Sequence, residues 1–341
     1  MAETTDRFLI VRLTSLGDLV HTIPAVGALR ASFPQATIDW AVDEHYLPLI
    51  EMVTCIDETI PLGRSISDVL GCIGRLRRAH YTCALDLQGT YRSAVLTWLS
   101  GAPRRIGRTR EATREPGAEL FSNERVTPTG RHIVDMTVAL AVRAGARPQP
   151  EPQFPLRVPE NALRAAREKL ARDGITVDYV VISPGGGWKS KCWPPERFGA
   201  LAAELLRRDG LRSVVNIAPG EEELGAGIVQ AAGLPAPPVV SVAIPELAAL
   251  LAQARLVVAG DTGPLHLAAA LGTRVVGLFG ATNAERNGPL PRGLVLQNIS
   301  CPPPEYIRGD YVRLNTYSEA MLSLSVEQVL AAVEQEIGVN A

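Results

Sequence analysis

A short apolar run, a turn, then apolar residues at helical spacing: this unit recurs on both sides of one proline-rich stretch, and it narrows the choice of fold more than any other feature. The stretch is Arg147 to Pro159, with five prolines in thirteen residues. Proline fixes φ and removes the amide donor, so such a run reads as an extended linker. Before it, Phe8 to Leu13 is β-prone and ends in the turn chemistry of Thr14-Ser15-Leu16-Gly17-Asp18. Ile23, Val26, Leu29 and Phe33 then share one helical face. Pro24 fits only a first turn, so Thr22 is the expected cap and residues 17–21 an irregular loop. Ile38 to Val42, Thr59-Ile60, Cys83 to Leu87 and Arg105 to Gly107 continue as strands, with helices over Arg92 to Leu99 and His132 to Ala144.

After the linker the alternation restarts. Strands over Val177 to Ser183, Ser213 to Ala218, Val239 to Val242, Leu256 to Ala259 and Arg274 to Phe279 alternate with four helices, and a last helix spans Val326 to Ile337. A length of 341 residues exceeds what one core usually supports. The expectation is an α/β chain of two doubly wound, Rossmann-like domains. They comprise residues 1–147, a linker over 148–159, residues 160–322, and a C-terminal helical segment over 323–341, free to pack back on the first domain. Ligands of such folds bind beyond the C-terminal ends of the strands. Every loop discussed below follows a strand, so all are expected to face one central cleft.

A net charge of −2 argues against a nucleic-acid partner. The five cysteines, Cys55, Cys72, Cys83, Cys192 and Cys301, show no C-x-x-C spacing, so neither a zinc site nor a disulfide framework is expected. The N-terminal residues lack the apolar core of a signal peptide, and no apolar stretch approaches the roughly 18–20 residues that span a bilayer. A cytoplasmic protein, soluble or peripheral, follows as the expectation. There is no G-x-S-x-G elbow and no H-E-x-x-H, and the Gly225-Ala226-Gly227 run fails the dinucleotide fingerprint at its last glycine.

Four loops carry chemistry. In Asp261-Thr262-Gly263-Pro264-Leu265-His266, Thr262 suits a helix cap and Pro264 the first turn, where backbone N–H groups bind phosphate. Asp261 would repel a phosphate and suits a sugar hydroxyl better, while His266 reaches the same ligand; an ordinary capped helix is the bland reading. In Gly185-Gly186-Gly187-Trp188-Lys189-Ser190-Lys191, glycines admit a close ligand and lysine supplies a point charge for a diphosphate. The segment misses the P-loop pattern because Trp188 stands where glycine is required. Only three lysines occur in the chain against 31 arginines, so two within three residues stand out from a merely solvated turn. Ser15 to Pro24 places Asp18 and His21 after the first strand. Asp18 is ionised at neutral pH and able to accept a hydroxyl proton, or it is simply a helix cap. Residues 102–114 hold five arginines and one glutamate, a net +4 that suits an acidic small molecule or headgroup, or else forms a solvated basic loop.

Together these loops resemble glycosyltransferase family 9, the lipopolysaccharide heptosyltransferases, over nearly the whole chain and in the same order. The resemblance rests on S-x-G-D-x-x-H-T-x-P at Ser15 to Pro24, Asp86-Leu87-Gln88-Gly89 followed by Arg92, Arg114-Glu115-Pro116, Lys191-Cys192-Trp193-Pro194, the acidic Glu221-Glu222-Glu223, and Asp261 to His266 followed by Gly277 to Thr282. It implies a GT-B architecture and an inverting, metal-free transfer of heptose from ADP-heptose to a Kdo or heptose hydroxyl of the lipid A core, with no cofactor beyond that donor. By the same resemblance Asp18 is the general base. Lys191, with Gly186 and Gly187, lies against the diphosphate, assisted by N–H groups at Thr262 and Gly263. Glu221 takes the ribose, and Asp261 and His266 the donor sugar or phosphates. Arg64, Arg92 and Arg114 grip the acidic acceptor, beside Ser15, Gly17 and His21. A lipid acceptor implies peripheral contact with the inner face of the inner membrane. The Arg114-Glu115-Pro116 and Glu119-Leu120-Phe121 elements lean toward the first-heptose type. The Cys301 segment, with no further Cys or His after it, departs from the second-heptose type. The alternatives on this scaffold are another nucleotide sugar, a sugar-nucleotide epimerase, or a non-catalytic nucleotide-binding protein.

Overall fold

The computed structural model describes residues 6–176, 178–298 and 315–338. The chain divides into two compact units, Met1–Arg157 and Val158–Ala341. The first contains strands β1 (Arg7–Val11), β2 (Thr37–Asp43), β3 (Glu58–Leu62), β4 (Cys83–Asp86), β5 (Arg104–Arg108) and β6 (Glu124–Val126). They form one parallel sheet in the order β3-β2-β1-β4-β5-β6. The second unit contains β7 (Tyr179–Ser183), β8 (Arg212–Asn216), β9 (Val239–Val240), β10 (Leu256–Gly260), β11 (Val275–Phe279) and β12 (Leu294–Gln297). These are also parallel, in the order β12-β11-β10-β7-β8-β9.

Both sheets are doubly wound, and this positions the loops of interest. Chain order reverses between β1 and β4, and again between β7 and β10. Loops leaving a reversal point diverge to opposite faces of the sheet and open a crevice at its carboxyl edge. Asp18 and Asp86-Gln88 follow β1 and β4; Lys191 and Asp261 follow β7 and β10. The central strands are almost wholly buried, as sheets covered on both faces must be, which explains their unbroken apolar runs.

Several expectations need correction. Residues 17–21 are not an irregular loop: Leu16–Val20 is a short helix with Asp18 as its third residue. Thr22 precedes the helix Ile23–Ser32 but does not cap it, because its backbone is already helical and its hydroxyl donates to the Asp18 carbonyl at 2.9 Å. The proline-rich run is no free spacer. Thr54 donates its N–H to Pro155 at 2.8 Å, Arg157 donates to Met52 at 2.8 Å, and Val53 bridges Leu156, so the run lies along the first unit as far as Arg157. Proline lacks an N–H, yet its carbonyl still accepts.

The C-terminal helix Val326–Ile337 is part of the second unit. Val329, Leu330, Val333 and Ile337 join the core of the second, with Val180, Val258 and Val276. Trp193 and Arg197 hold the approach to that helix by donating to the Leu324 carbonyl. The Cys301 segment lies outside the described residues.

Helix Pro195–Asp209 packs tightly on helix Glu222–Ala232 through Gly199, where an added Cβ would stand 2.5 Å from the Ala231 Cβ and 2.6 Å from the Ile228 carbonyl. Gly199→Val is expected to destabilise the second unit by about 1–3 kcal/mol through overpacking. Gly71→Ala, in helix Ile66–Arg78 with nothing within 4 Å, is expected to gain about 0.5–1 kcal/mol. Urea unfolding midpoints of the two variants check both signs.

Candidate active site

In the first unit the site is built around an ion pair inside an apolar strand sequence. Arg12, just beyond β1, is buried, and its Nη2 lies 2.7 Å from Asp18 Oδ1. Its Nε donates to the Thr14 carbonyl at 3.2 Å and its Nη1 to the Leu87 carbonyl, so the guanidinium is fixed between the loops after β1 and β4. Gln88 ties the same loops together, its Oε1 accepting the Leu13 N–H at 2.7 Å, while Asp86 Oδ1 accepts the N–H groups of Gln88 and Gly89 at 3.0 and 2.9 Å. The Asp86-Leu87-Gln88-Gly89 sequence is therefore the brace of the Arg12–Asp18 pair.

Asp18 is 30% exposed. Its Oδ2 accepts the Ser15 N–H at 3.4 Å and the Ser15 hydroxyl at 3.3 Å, and Arg114 Nη1 lies 4.0 Å away. The capping reading and the chemical reading thus coincide in one carboxylate. Burial pushes its pKa up, but Arg12, then His21, Arg114 and the Ser15 N–H outweigh this and bring it to about 2. Arg114 borders the group. Arg92 Nη1 is 3.2 Å from the buried Asp43, and Tyr46 is pushed up by burial with Asp43 and Asp18 nearby. His21 is buried, its ring edge-on to His132 at 5.7 Å. Gly17 is a helix residue whose carbonyl accepts the His21 N–H at 2.9 Å. Arg64 is exposed in the turn before helix Ile66–Arg78, and no ion pair or hydrogen bond joins it to Asp18. Of the basic loop, Arg108 is buried and Arg104 is paired with Glu124, so the run is less open than its charge implies.

The second unit brings the other two loops together. Asp261, at the end of β10, accepts from Lys191 Nζ at 3.0 Å, faces His266 Nε2 at 3.0 Å and accepts from Asn287 Nδ2 at 3.2 Å. Lys191 Nζ also lies 4.5 Å from the centre of the Trp188 ring. Both carboxylate oxygens of Asp261 are thus engaged and the group is buried. Burial pushes its pKa up, but the hydrogen bond from His266 and the charge of Lys191 hold it far below the usual carboxylate range. In this arrangement Asp261 is engaged by Lys191, His266 and Asn287.

Thr262 sits at the N-cap of helix Gly263–Ala270 but makes no cap bond; its hydroxyl donates to the Gly260 carbonyl at 3.3 Å. The first-turn N–H groups are left to an outside acceptor, which is what an anion site at a helix start requires. Glu221 accepts the Ala218 N–H at 2.8 Å and lies so close to Gly185 that an added Cβ there would stand 2.2 Å from its Oε1. Gly186 lies beside the Cys192 sulfur and Gly187 is open. Among the described residues, no group of three or more His, Cys, Asp or Glu is arranged to hold a metal ion. Asn287 and Arg12 were not singled out from the sequence. An arginine at the end of an otherwise apolar strand run was the available sign of the second.

The model of glycosyltransferase family 9 (heptosyltransferase) matches residues 70–301. Lipopolysaccharide heptosyltransferase 1 of Pseudomonas aeruginosa is 32% identical over 306 residues, 85% of this chain and 82% of that protein. Lipopolysaccharide heptosyltransferase 3 of Escherichia coli K12 is 25% identical over 337 residues, 94% of each. Among solved structures, E. coli ADP-heptose lps heptosyltransferase II matches with a TM-score of 0.80 at 22% identity, covering 98% of this chain and 99% of that one. E. coli heptosyltransferase WaaC with ADP-2-deoxy-2-fluoro heptose matches at 0.73 and 23%, covering 96% and 99%. The two doubly wound units and these likenesses identify the fold as GT-B.

Removing one partner of a buried ion pair strands the other. Asp261→Asn is expected to cost about 3–5 kcal/mol at pH 7. The folded pKa of Asp261 lies below its unfolded value near ~3.9, so its stabilisation is complete above that value and is lost as pH falls toward the folded one. The stability gap between wild type and variant is therefore expected to narrow below about pH 4, as read by urea unfolding at stepped pH.

Proposed function

The chain belongs to glycosyltransferase family 9 and is a glycosyltransferase, and from that premise we propose that it moves heptose from ADP-heptose onto a hydroxyl of the acidic Kdo and heptose inner core of lipopolysaccharide. The transfer inverts the sugar's configuration, proceeds without metal or cofactor, and takes place at the inner face of the inner membrane. The observation that carries this reading is the carboxylate of Asp18: partly exposed, kept ionised by Arg12, and bordered by Arg114. A buried strand end holding one ionised acid among arginines suits a base that must receive a proton from an acceptor which is itself anionic.

In the proposed reaction the acceptor oxygen bonds to the anomeric carbon as the bond to the diphosphate breaks. The hydroxyl proton passes to Asp18. With a pKa near 2, Asp18 is a weak base for a ground-state alcohol. Transfer therefore comes late, when bonding to a carbon of oxocarbenium character has made the hydroxyl acidic. Negative charge builds on the leaving diphosphate. Lys191 and the first-turn N–H groups at Gly263 supply the compensating positive charge, and Asp261 holds Lys191 in place for this. Glu221 accepts the ribose hydroxyls beside the glycine loop, and Arg92 and Arg114 take the carboxylates of the acceptor. Among the described residues no helix is long and apolar enough to cross a membrane; the membrane contact proposed is peripheral.

The test is ADP release from ADP-heptose with a Kdo-bearing lipid A acceptor, in the presence of EDTA. Wild type is expected to release ADP only with acceptor. Asp18→Asn is expected to lower kcat by about 10²–10⁴ while leaving the donor Kd unchanged. Because Asp18 stays ionised down to a pKa of about 2, no acid limb of kcat/KM between pH 4 and 7 is expected to belong to it. Turnover unaffected by Asp18→Asn, or abolished by EDTA, contradicts the mechanism. Turnover with a different nucleotide sugar alone contradicts the donor.

A further inference from the structure

One surface of the first unit has no part in this chemistry. Trp98, near the end of helix Tyr91–Leu99, is 51% exposed, and Leu120, in the tight turn Ala118–Phe121, is 69% exposed. They belong to one patch, because the Trp98 ring stands edge-on to the Phe121 ring with centroids 6.1 Å apart. Three arginines border it. Arg77 donates to the Leu99 carbonyl at 3.0 Å, Arg105 to the Phe121 carbonyl at 3.1 Å and Arg125 to the Glu119 carbonyl at 3.0 Å. Each spends its Nε on the main chain; Arg105 also donates Nη1 to the Ala102 carbonyl at 2.8 Å, while Arg77 and Arg125 are exposed. The one acid within the turn, Glu119, is buried, accepts the Gly117 N–H at 2.7 Å and offsets part of the Arg125 charge.

Single exposed hydrophobics are ordinary. An exposed tryptophan and leucine beside a phenylalanine, inside a border of arginines, are a different composition. Indole favours the headgroup layer of a bilayer, leucine the acyl boundary just below it, and guanidinium groups the phosphates of anionic lipids. We propose that this patch docks the first unit on an anionic lipid surface. The proposal rests on the reading of a lipid-linked acceptor, and it fits that reading in one further respect: Arg92 opens the helix that Trp98 nearly closes, six residues or roughly 9 Å along the axis.

Sedimentation with phosphatidylglycerol–phosphatidylcholine vesicles, against pure phosphatidylcholine, tests it. Wild type is expected to bind the anionic vesicles about tenfold or more tightly than the neutral ones, and less at high salt. Trp98→Ser combined with Leu120→Ser is expected to lose about tenfold or more of that binding, and Arg77→Gln with Arg125→Gln to remove the preference for anionic lipid. All of these variants are expected to keep wild-type transfer to an acyl-free acceptor. Leu120→Ser alone serves if the double variant does not fold. The proposal is overturned if wild type stays in the supernatant, if the apolar variants bind like wild type, or if sedimentation velocity shows a dimer that Trp98→Ser dissolves. Absence of transfer from ADP-heptose by wild type would overturn the substrate reading and leave the vesicle result to stand alone.

Discussion

Each sheet of this chain reverses its strand order once, and the functional residues are where they are because of it. At β1 and β4 in the first unit, and β7 and β10 in the second, neighbouring strands send their loops to opposite faces. A crevice must open at that edge, and side chains from loops distant in sequence meet across it. Arg12 meets Leu87 across the first and Leu13 meets Gln88, each pair 75 residues apart. Lys191 meets Asp261 across the second, 70 residues apart. Neither contact is local, and neither would survive in a sheet that added strands in one direction only.

What the two crevices share is a carboxylate kept ionised by its neighbours, Arg12 in the first and His266 with the half-buried Lys191 in the second. The outcomes differ because the exposures differ. Asp18 retains an open side, so its charge is available to chemistry. Asp261 is closed in by Lys191, His266 and Asn287, so its charge is spent on geometry. Buried ion pairs contribute little net stability after desolvation, and their usual value lies in fixing an arrangement. That suits the proposed role of the second site, in which a lysine and a helix start stand ready for a developing diphosphate charge.

Much of this was legible in the sequence. The buried strands read well because full burial writes an unbroken apolar run, and the loops read well because Ser15 to Pro24 and Asp261 to His266 concentrate cap, turn and ionisable chemistry in a few residues. The edge strands did not: Glu124–Val126 is three residues, two of them charged, and Leu294–Gln297 follows a Pro-Arg-Gly turn with no alternation to mark it. Helices Ile66–Arg78 and Glu160–Arg172 were missed because arginine-rich faces dilute their apolar spacing. Roles were less legible than positions. The contact of Asn287 with Asp261, 26 residues away, leaves no local mark in the sequence. The proline-rich run looked like a spacer until Leu156 and Arg157 were seen to pair with the first unit.

The central claim is that Asp18 is an ionised base because Arg12 holds it so. The direct measurement is the ¹³C carboxyl resonance of Asp18, assigned by its loss in Asp18→Asn and followed by NMR from pH 7 to 3.5. In wild type the account expects no titration in that range, in keeping with a pKa of about 2. In Arg12→Met it expects a midpoint at or above the ordinary value near ~3.9. A wild-type midpoint of 4 or higher, or one that Arg12→Met leaves in place, would contradict it.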